Sequence, residues 1–328
     1  MKKIRAGVIG VGYLGQFHAE KYASLPNVEL TGIVEKDQAR GELIARKLNT
    51  EAFADPSRLL GKVDAVSIVV PTILHHQIAK QFLDAGVHVL LEKPLTVTLE
   101  QADELIALAS RKKVVLQVGH IERFNPAVTA IQPLLKSPGY LQAERSAPFT
   151  VRCTDVNVVL DLMIHDLDIV SDLAGSAPLK VSAAGSSIIT REIDAATARI
   201  VFANGCVADV TASRISDEKK RLLKIFDGEA LYTADYQTQK AFVSRRGPGV
   251  VPEFVTVEIS TERRDTLLEE VRSFLSCIEH RSRPTVSGTE GKNALAMARL
   301  ITHSIENKIT EFVQFTERGA TEHVSPDG

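Results

Sequence analysis

Through its first 120 residues the chain alternates short apolar runs with stretches of helical periodicity, and few architectures accept that pattern. Residues 4–9, 29–34, 63–70, 87–91 and 114–118 read as strands. The third is an almost continuous β-branched run, of the kind buried on both faces of a sheet. Residues 14–25, 38–48, 73–85 and 99–111 read as helices, with Pro26-Asn27 stopping the first. Strict alternation with short connections predicts an α/β doubly wound parallel sheet of the Rossmann type.

Beyond residue 120 the pattern changes. Residues 126–135 and 158–173 look helical. Between 181 and 259 the β-rich runs 195–202, 206–214, 222–227, 230–234 and 240–245 follow one another, with turn signals at Asn204-Gly205 and Asp227-Gly228. Consecutive strands joined by tight turns predict an α+β region with a largely antiparallel sheet. Helices are expected again over 266–279 and 289–307. The expected division is therefore 1–120, 121–315 and a flexible tail over 316–328, rich in Glu, Gly, Pro and Asp. A chain of 328 residues is long enough for two cores.

The first strand runs into Gly10-Val11-Gly12-Tyr13-Leu14-Gly15 and then a helix, which is the context a dinucleotide fingerprint needs. Gly10 permits a tight turn, Gly12 lets backbone approach a pyrophosphate, and Gly15 allows close helix–strand packing. The helix start offers N–H groups to phosphate charge. Glu35 lies 20 residues beyond Gly15, at the end of the second strand, and suits a ribose diol. Its charge would repel a 2′-phosphate, favouring NAD, while Lys36 and Arg40 keep NADP open. The competing reading is a plain glycine turn beside a surface glutamate.

Two further segments carry chemistry. Glu92-Lys93-Pro94 closes a buried strand at the sheet edge where ligands bind in such folds, and proline holds Lys93 extended. Asp161 and His165 stand four apart on an expected helix and share a face. A histidine titrating near neutrality, a carboxylate and a lysine supply what alcohol oxidation needs: a base for the hydroxyl proton and a cation for the alkoxide. Each segment alone reads as readily as a strand-end lysine or a helix-surface pair.

Together the glycine fingerprint, Glu92-Lys93-Pro94 and Asp161-x-x-x-His165-x-x-Asp168 resemble the Gfo/Idh/MocA oxidoreductase family, in order and over nearly the whole chain. Pro71-Thr72-x-x-His75 is similar to the family's segment after the third strand, with its usual Thr-Pro-Asn order altered. The resemblance implies Lys93, Asp161 and His165 as catalytic residues, with His165 the base and Lys93 orienting the hydroxyl. It implies cofactor contacts from Gly10, Gly12, Tyr13, Leu14, Gly15, Glu35, Val70, Thr72, His75, Glu92 and Lys93. Gly119-His120-Ile121-Glu122-Arg123-Phe124-Asn125-Pro126 and the stretch around Asp161 are similar to members that oxidise the 3-hydroxyl of UDP-linked N-acetylated sugars. That subgroup implies substrate contacts from Lys93, Arg123, Asn125, Asp161 and His165. Arg123 could meet a diphosphate as a bidentate cation, or stand in an interdomain salt bridge. The alternatives are a dehydrogenase of a free polyol or sugar such as an inositol, a non-catalytic NAD-binding sensor and, more remotely, a reductase of imines or linear tetrapyrroles.

Bulk properties narrow the partners. With 39 basic and 41 acidic residues the net charge is −2, so no overall positive field draws in nucleic acid. No run approaches the roughly 20 apolar residues of a membrane span, and the glycines after Met1-Lys2-Lys3 break any signal-like stretch. Three sparse cysteines, Cys153, Cys206 and Cys277, fit a reduced cytoplasmic setting without disulfide or zinc framework, and Cys153 has no feature of a nucleophile. His75, His76 and His88 lack metal-ligand spacing, so no metal is expected. His18 reads as local packing or capping, and Tyr232 and Tyr236 as outer sheet surface. An uncovered antiparallel sheet face predicts a homodimer or homotetramer.

Overall fold

The computed structural model describes residues 3–151, 156–315 and 321–324, which fall into two units. The first comprises Met1–Ile121 and Asp265–Asn293. Its elements run β1 (Ile4–Ile9), α1 (Gly15–Ser24), β2 (Val28–Val34), α2 (Gln38–Leu48), β3 (Glu51–Phe53), β4 (Ala65–Ile68), α3 (His75–Asp84), β5 (His88–Glu92), α4 (Leu99–Lys112) and β6 (Leu116–Gly119). All six strands are parallel, in the order β3-β2-β1-β4-β5-β6. The chain reverses direction of winding between β1 and β4, so the carboxyl ends of those strands open the crevice that binds ligands in doubly wound sheets. Short polar residues start two of the helices: Asp37 accepts from the Arg40 N–H at α2, and Thr98 forms a capping box with Gln101 on α4.

The second unit comprises Glu122–Arg264 and Ala294–Gly328. It holds α5 (Pro126–Ile131), β7 (Tyr140–Ser146), α6 (Ile164–Ala174), β8 (Pro178–Ser186), β9 (Ala195–Phe202), β10 (Val207–Ser213), β11 (Lys220–Asp227), β12 (Ala230–Asp235), β13 (Lys240–Arg246) and β14 (Phe254–Ile259). After α7 (Thr266–His280) and α8 (Gly288–Asn307), the sheet is completed by β15 (Thr310–Phe315) and β16 (Thr321–Val324). Strand order is β14-β13-β12-β11-β7-β10-β9-β8-β15-β16, antiparallel throughout except for the β7–β10 pair. Val159, Met163 and Leu167, at the start of α6 and just before it, pack with Ile200, Val210 and Leu223 in one core. Gly205 and Gly228 take positive φ at the tight turns marked by Asn204-Gly205 and Asp227-Gly228.

Four features differ from the sequence reading. Helix α7 belongs to the first unit, because Val271, Phe274 and Leu275 share a core with Ala6, Tyr22 and Ile33. Its neighbour segment covers the β6 edge, where the Val118 N–H donates to Val286 O at 2.9 Å. Residues 321–324, expected within a tail, pair as β16 with β15, while 316–320 and 325–328 lie outside the described residues, as does Cys153. Tyr232 and Tyr236 point inward and are 4% exposed, so they are core rather than outer surface. The helix expected over 158–173 begins as a π-type turn, Val159–Met163, before α6. No described helix is long and apolar enough to cross a membrane.

Candidate active site

The carboxyl edge of the parallel sheet collects most of the expected cofactor residues. The backbone at Gly10 has φ 84° and its N–H donates to Val34 O at 2.8 Å. A Cβ there would lie 2.3 Å from Val69 O, and one at Gly15 only 1.8 Å from Gly10 O. These two glycines are demanded by the fold itself. Gly12 differs: a Cβ would meet nothing nearer than Arg40 Nη1 at 3.9 Å, so its missing side chain leaves open space. Gly10, Gly12, Val34, Glu35, Arg40 and Val70 line a cavity of about 310 Å³. Glu35 is fixed on its wall by the N–H groups of Val11 at 3.2 Å and Asp37 at 3.1 Å. Arg40 Nε stands 4.0 Å from Glu35, and its guanidinium also pairs with Asp37 at 3.0 Å. The open face at Gly12 and the anchored carboxylate on the cavity wall fit a pyrophosphate and a ribose diol.

Other expected cofactor residues surround this cavity rather than line it. Tyr13 is 65% exposed and meets Phe17 edge to face at 5.7 Å, and Leu14 is exposed. Thr72 opens a short 3₁₀ turn. His75 is buried, with its ring nitrogens 2.9 Å from Val70 O and Pro94 O. Burial lowers its pKa. The ring thus ties the turn after β4 to the Lys93-Pro94 segment, and a direct side-chain contact with the dinucleotide is the less favoured reading. His76 bonds Glu104, and His88 Nδ1 accepts from the Val115 N–H, so the three histidines face separate partners.

Lys93 follows the last residue of β5, half-buried, and its N–H donates to Glu92 Oε2 at 3.2 Å. Behind it lies a buried polar cluster that sequence reasoning missed. His18 Nε2 is 3.2 Å from Glu92 Oε1, its Nδ1 is 3.2 Å from Ser67 Oγ, and Tyr22 Oη is 2.9 Å from the same hydroxyl. His18 therefore bonds across the unit rather than capping locally. The signal was available, since Gly15, His18, Ala19 and Tyr22 form one buried stripe of α1.

In the second unit, Asp161 sits in the π-type turn and His165 in the first turn of α6, both half-buried. Asn157 starts the segment, its Oδ1 accepting from the Leu160 N–H at 3.0 Å. Wide π turns recur at functional sites. The helix is pinned from behind by Asp166, which is fully buried and takes a forked pair of bonds from Arg145 at 2.6 and 3.0 Å. Arg145 also donates to Glu122 at 3.0 Å. Burial alone would lower the Arg145 pKa, but the charges of Asp166 and Glu122 outweigh it and hold the guanidinium protonated.

Two expected substrate residues are already committed within this unit. Arg123 is 7% exposed, lies 3.0 Å from Asp168 Oδ2 and pairs with Asp172. That geometry favours the salt bridge over the diphosphate contact, and the bridge is internal to one unit. Asn125 caps α5 through the Ala127 N–H and donates to Glu122 and Tyr236 O, which spends its side chain on the fold.

Comparison with known proteins places this architecture. Residues 4–120 match the model described as oxidoreductase family, NAD-binding Rossmann fold, and residues 140–230 match the GFO/IDH/MocA C-terminal domain. The chain is 39% identical over 310 residues to a UDP-N-acetylglucosamine 3-dehydrogenase of Acidithiobacillus ferrooxidans, covering 93% of this chain and 98% of that one. A solved structure of that enzyme superposes with a TM-score of 0.89 at 38% identity, covering 94% and 99% of the two chains. A scyllo-inositol 2-dehydrogenase (NAD(+)) of Bacillus subtilis is 26% identical over 330 residues, covering 93% and 95%.

Proposed function

This chain belongs to the Gfo/Idh/MocA family of NAD-binding oxidoreductases, and from that premise we propose that it oxidises the 3-hydroxyl of a UDP-linked N-acetylated amino sugar. The observation that carries the substrate class is the 39% identity to a UDP-N-acetylglucosamine 3-dehydrogenase across almost the whole of both chains. The inositol relatives are more distant, at 26% and 27%, which ranks a free polyol second.

NAD, when bound, supplies the hydride acceptor. The chain's own residues bind and orient it. The open backbone at Gly12 admits the pyrophosphate, and Glu35, held by two N–H groups, accepts the ribose hydroxyls and disfavours a 2′-phosphate. In the proposed reaction His165 removes the hydroxyl proton, Lys93 holds the developing alkoxide by its positive charge, and Asp161 supports the base. Arg123 and Asn125 act through the fold rather than on the sugar nucleotide. Among the described residues Cys206 and Cys277 are free and buried, which supports a cytoplasmic setting. Phe226 on β11 and Phe254 on β14 are 38% and 66% exposed and lie on one face of the sheet by strand register, which supports a homodimer or homotetramer through that face, testable by light scattering.

NADH formation by purified protein, with UDP-N-acetylglucosamine, myo-inositol and glucose compared in parallel, tests the reading. Turnover with the sugar nucleotide alone is expected, and Lys93→Ala and His165→Ala should each lower kcat about 10²–10⁴-fold. Turnover with free polyol only, or unchanged rates in both variants, overturns it. Gly12→Ala should weaken NAD binding while leaving the melting temperature nearly unchanged, whereas Gly15→Ala should destabilise the first unit.

A further inference from the structure

Glu270 on α7 is wholly buried, and among the described residues neither of its carboxyl oxygens has a hydrogen-bond partner. It is aimed into the cluster behind Lys93: one oxygen of Glu270, one of Glu92 and a ring nitrogen of His18 all lie within 4.8 Å of one another. The groups facing it are His18 and Tyr22 from α1, Ser67 from β4, Glu92 from β5 and Gln117 from β6, whose Nε2 donates to Glu270 O at 3.2 Å. Of these only His18 could carry a positive charge, and both its ring nitrogens are engaged.

One assignment of protons satisfies every contact in this cluster. Tyr22 donates its hydroxyl proton to Ser67, Ser67 donates to His18 Nδ1, and His18 Nε2–H donates to Glu92 Oε1. The Lys93 N–H donates to Glu92 Oε2. All donors then run onto Glu92, and an anion there is the stronger acceptor for them. On one side Glu92 is packed against Gly119, where a Cβ would lie 2.8 Å from its carboxyl group. A second buried negative charge less than 5 Å away is therefore strongly disfavoured.

We propose that Glu270 and Glu92 hold one proton between them, carried by Glu270, and that Glu270 is thereby a positioning residue for Lys93. With the proton on Glu270, Glu92 stays ionised and keeps its grip on His18 and on the peptide of Lys93. With both carboxyls charged, their repulsion across less than 5 Å works against that grip. Burial and the Glu92 charge both push the Glu270 carboxyl well above the usual carboxylate range. The role of Glu270 rests on the reading of Lys93 as catalytic; its protonation does not.

The test follows the melting temperature of the full chain and of Glu270→Gln from pH 5 to pH 9, with metal content measured on both. A carboxyl that binds its proton more tightly when folded adds stability that is fully present below its unfolded pKa of about 4.3 and is lost as pH rises through the folded value. Glutamine does not titrate, so the melting temperature of Glu270→Gln relative to the unmodified chain should climb steadily with pH. A difference that is flat or falls with pH overturns the proposal, as does a stoichiometric metal present in the unmodified protein and lost from Glu270→Gln. For the positioning role, Glu270→Gln and Glu270→Leu, neither of which can carry a charge, should both lose an alkaline decline in kcat that the unmodified chain shows. A decline kept in either variant, or absent from the unmodified chain, overturns that role. If no substrate turns over, the melting series still decides the protonation.

Discussion

One buried carboxyl group of the first unit, Glu270, is held differently from those of the second. In the second unit each one has a strong partner. Asp166 is gripped by the Arg145 fork, and Asp194, fully buried, accepts the N–H groups of Ile188, Ile189 and Thr190 at 2.7–2.9 Å as well as the Thr190 hydroxyl. Burial pulls Asp194 upward, yet those bonds outweigh it and hold the carboxyl far below its ordinary range. In the first unit Glu270 has no hydrogen-bond partner among the described residues, and the Glu92 carboxyl and the His18 ring stand within 4.8 Å of it. A buried acid can be accommodated by a counter-charge, by donors or by a proton. The three choices respond differently to substitution and to pH.

The largest effect is expected at the counter-charge. Arg145→Leu removes the forked partner of Asp166 and leaves Glu122 only the more distant Arg221 at 3.6 Å, and should cost about 3–5 kcal/mol of unfolding free energy in denaturant titration. A cost under 1 kcal/mol would remove the contrast with Glu270. Asp194→Asn should cost about 1.5–3 kcal/mol by weakening charge-assisted bonds at four donors. The stability Asp194 provides is present above its unfolded pKa near 3.9 and is lost as pH falls through its lowered folded value, so the deficit of Asp194→Asn should shrink in strong acid. Glu270→Gln should show a reversed effect, a gain in stability near pH 8 that fades towards pH 5. A loss at Glu270→Gln like that at Asp194→Asn would show that both units follow one rule.

Legibility differed between the units for a related reason. The parallel strands β1, β2, β4, β5 and β6 were all visible as apolar runs, because strands covered on both faces need apolar residues at nearly every position. β3 is three residues long and has no period to detect. In the second sheet β7, β8, β14 and β15 went unassigned, since strands with an exposed face or charged outward positions, such as Tyr140–Ser146, dilute the alternation. Of the expected site residues, Gly10, Gly12, Glu35 and Val70 line one cavity, whereas His75, Arg123 and Asn125 are spent on internal contacts. A motif names the residue type, but the neighbours that saturate an arginine or amide come from distant segments.

By itself the amino-acid order determined the Rossmann grammar, the glycine turn and the helical placement of His165, because these depend on local conformation and short-range periodicity. It also carried an unread sign, a glutamate at position 270 in the stripe formed with Leu267, Val271 and Phe274. Only the tertiary structure decided that α7 belongs to the first unit, and that its glutamate stands against Glu92 and His18. Whether a buried carboxyl holds a partner or a proton depends on charges that segments far apart in the chain bring within a few ångströms, and no local pattern encodes that distance.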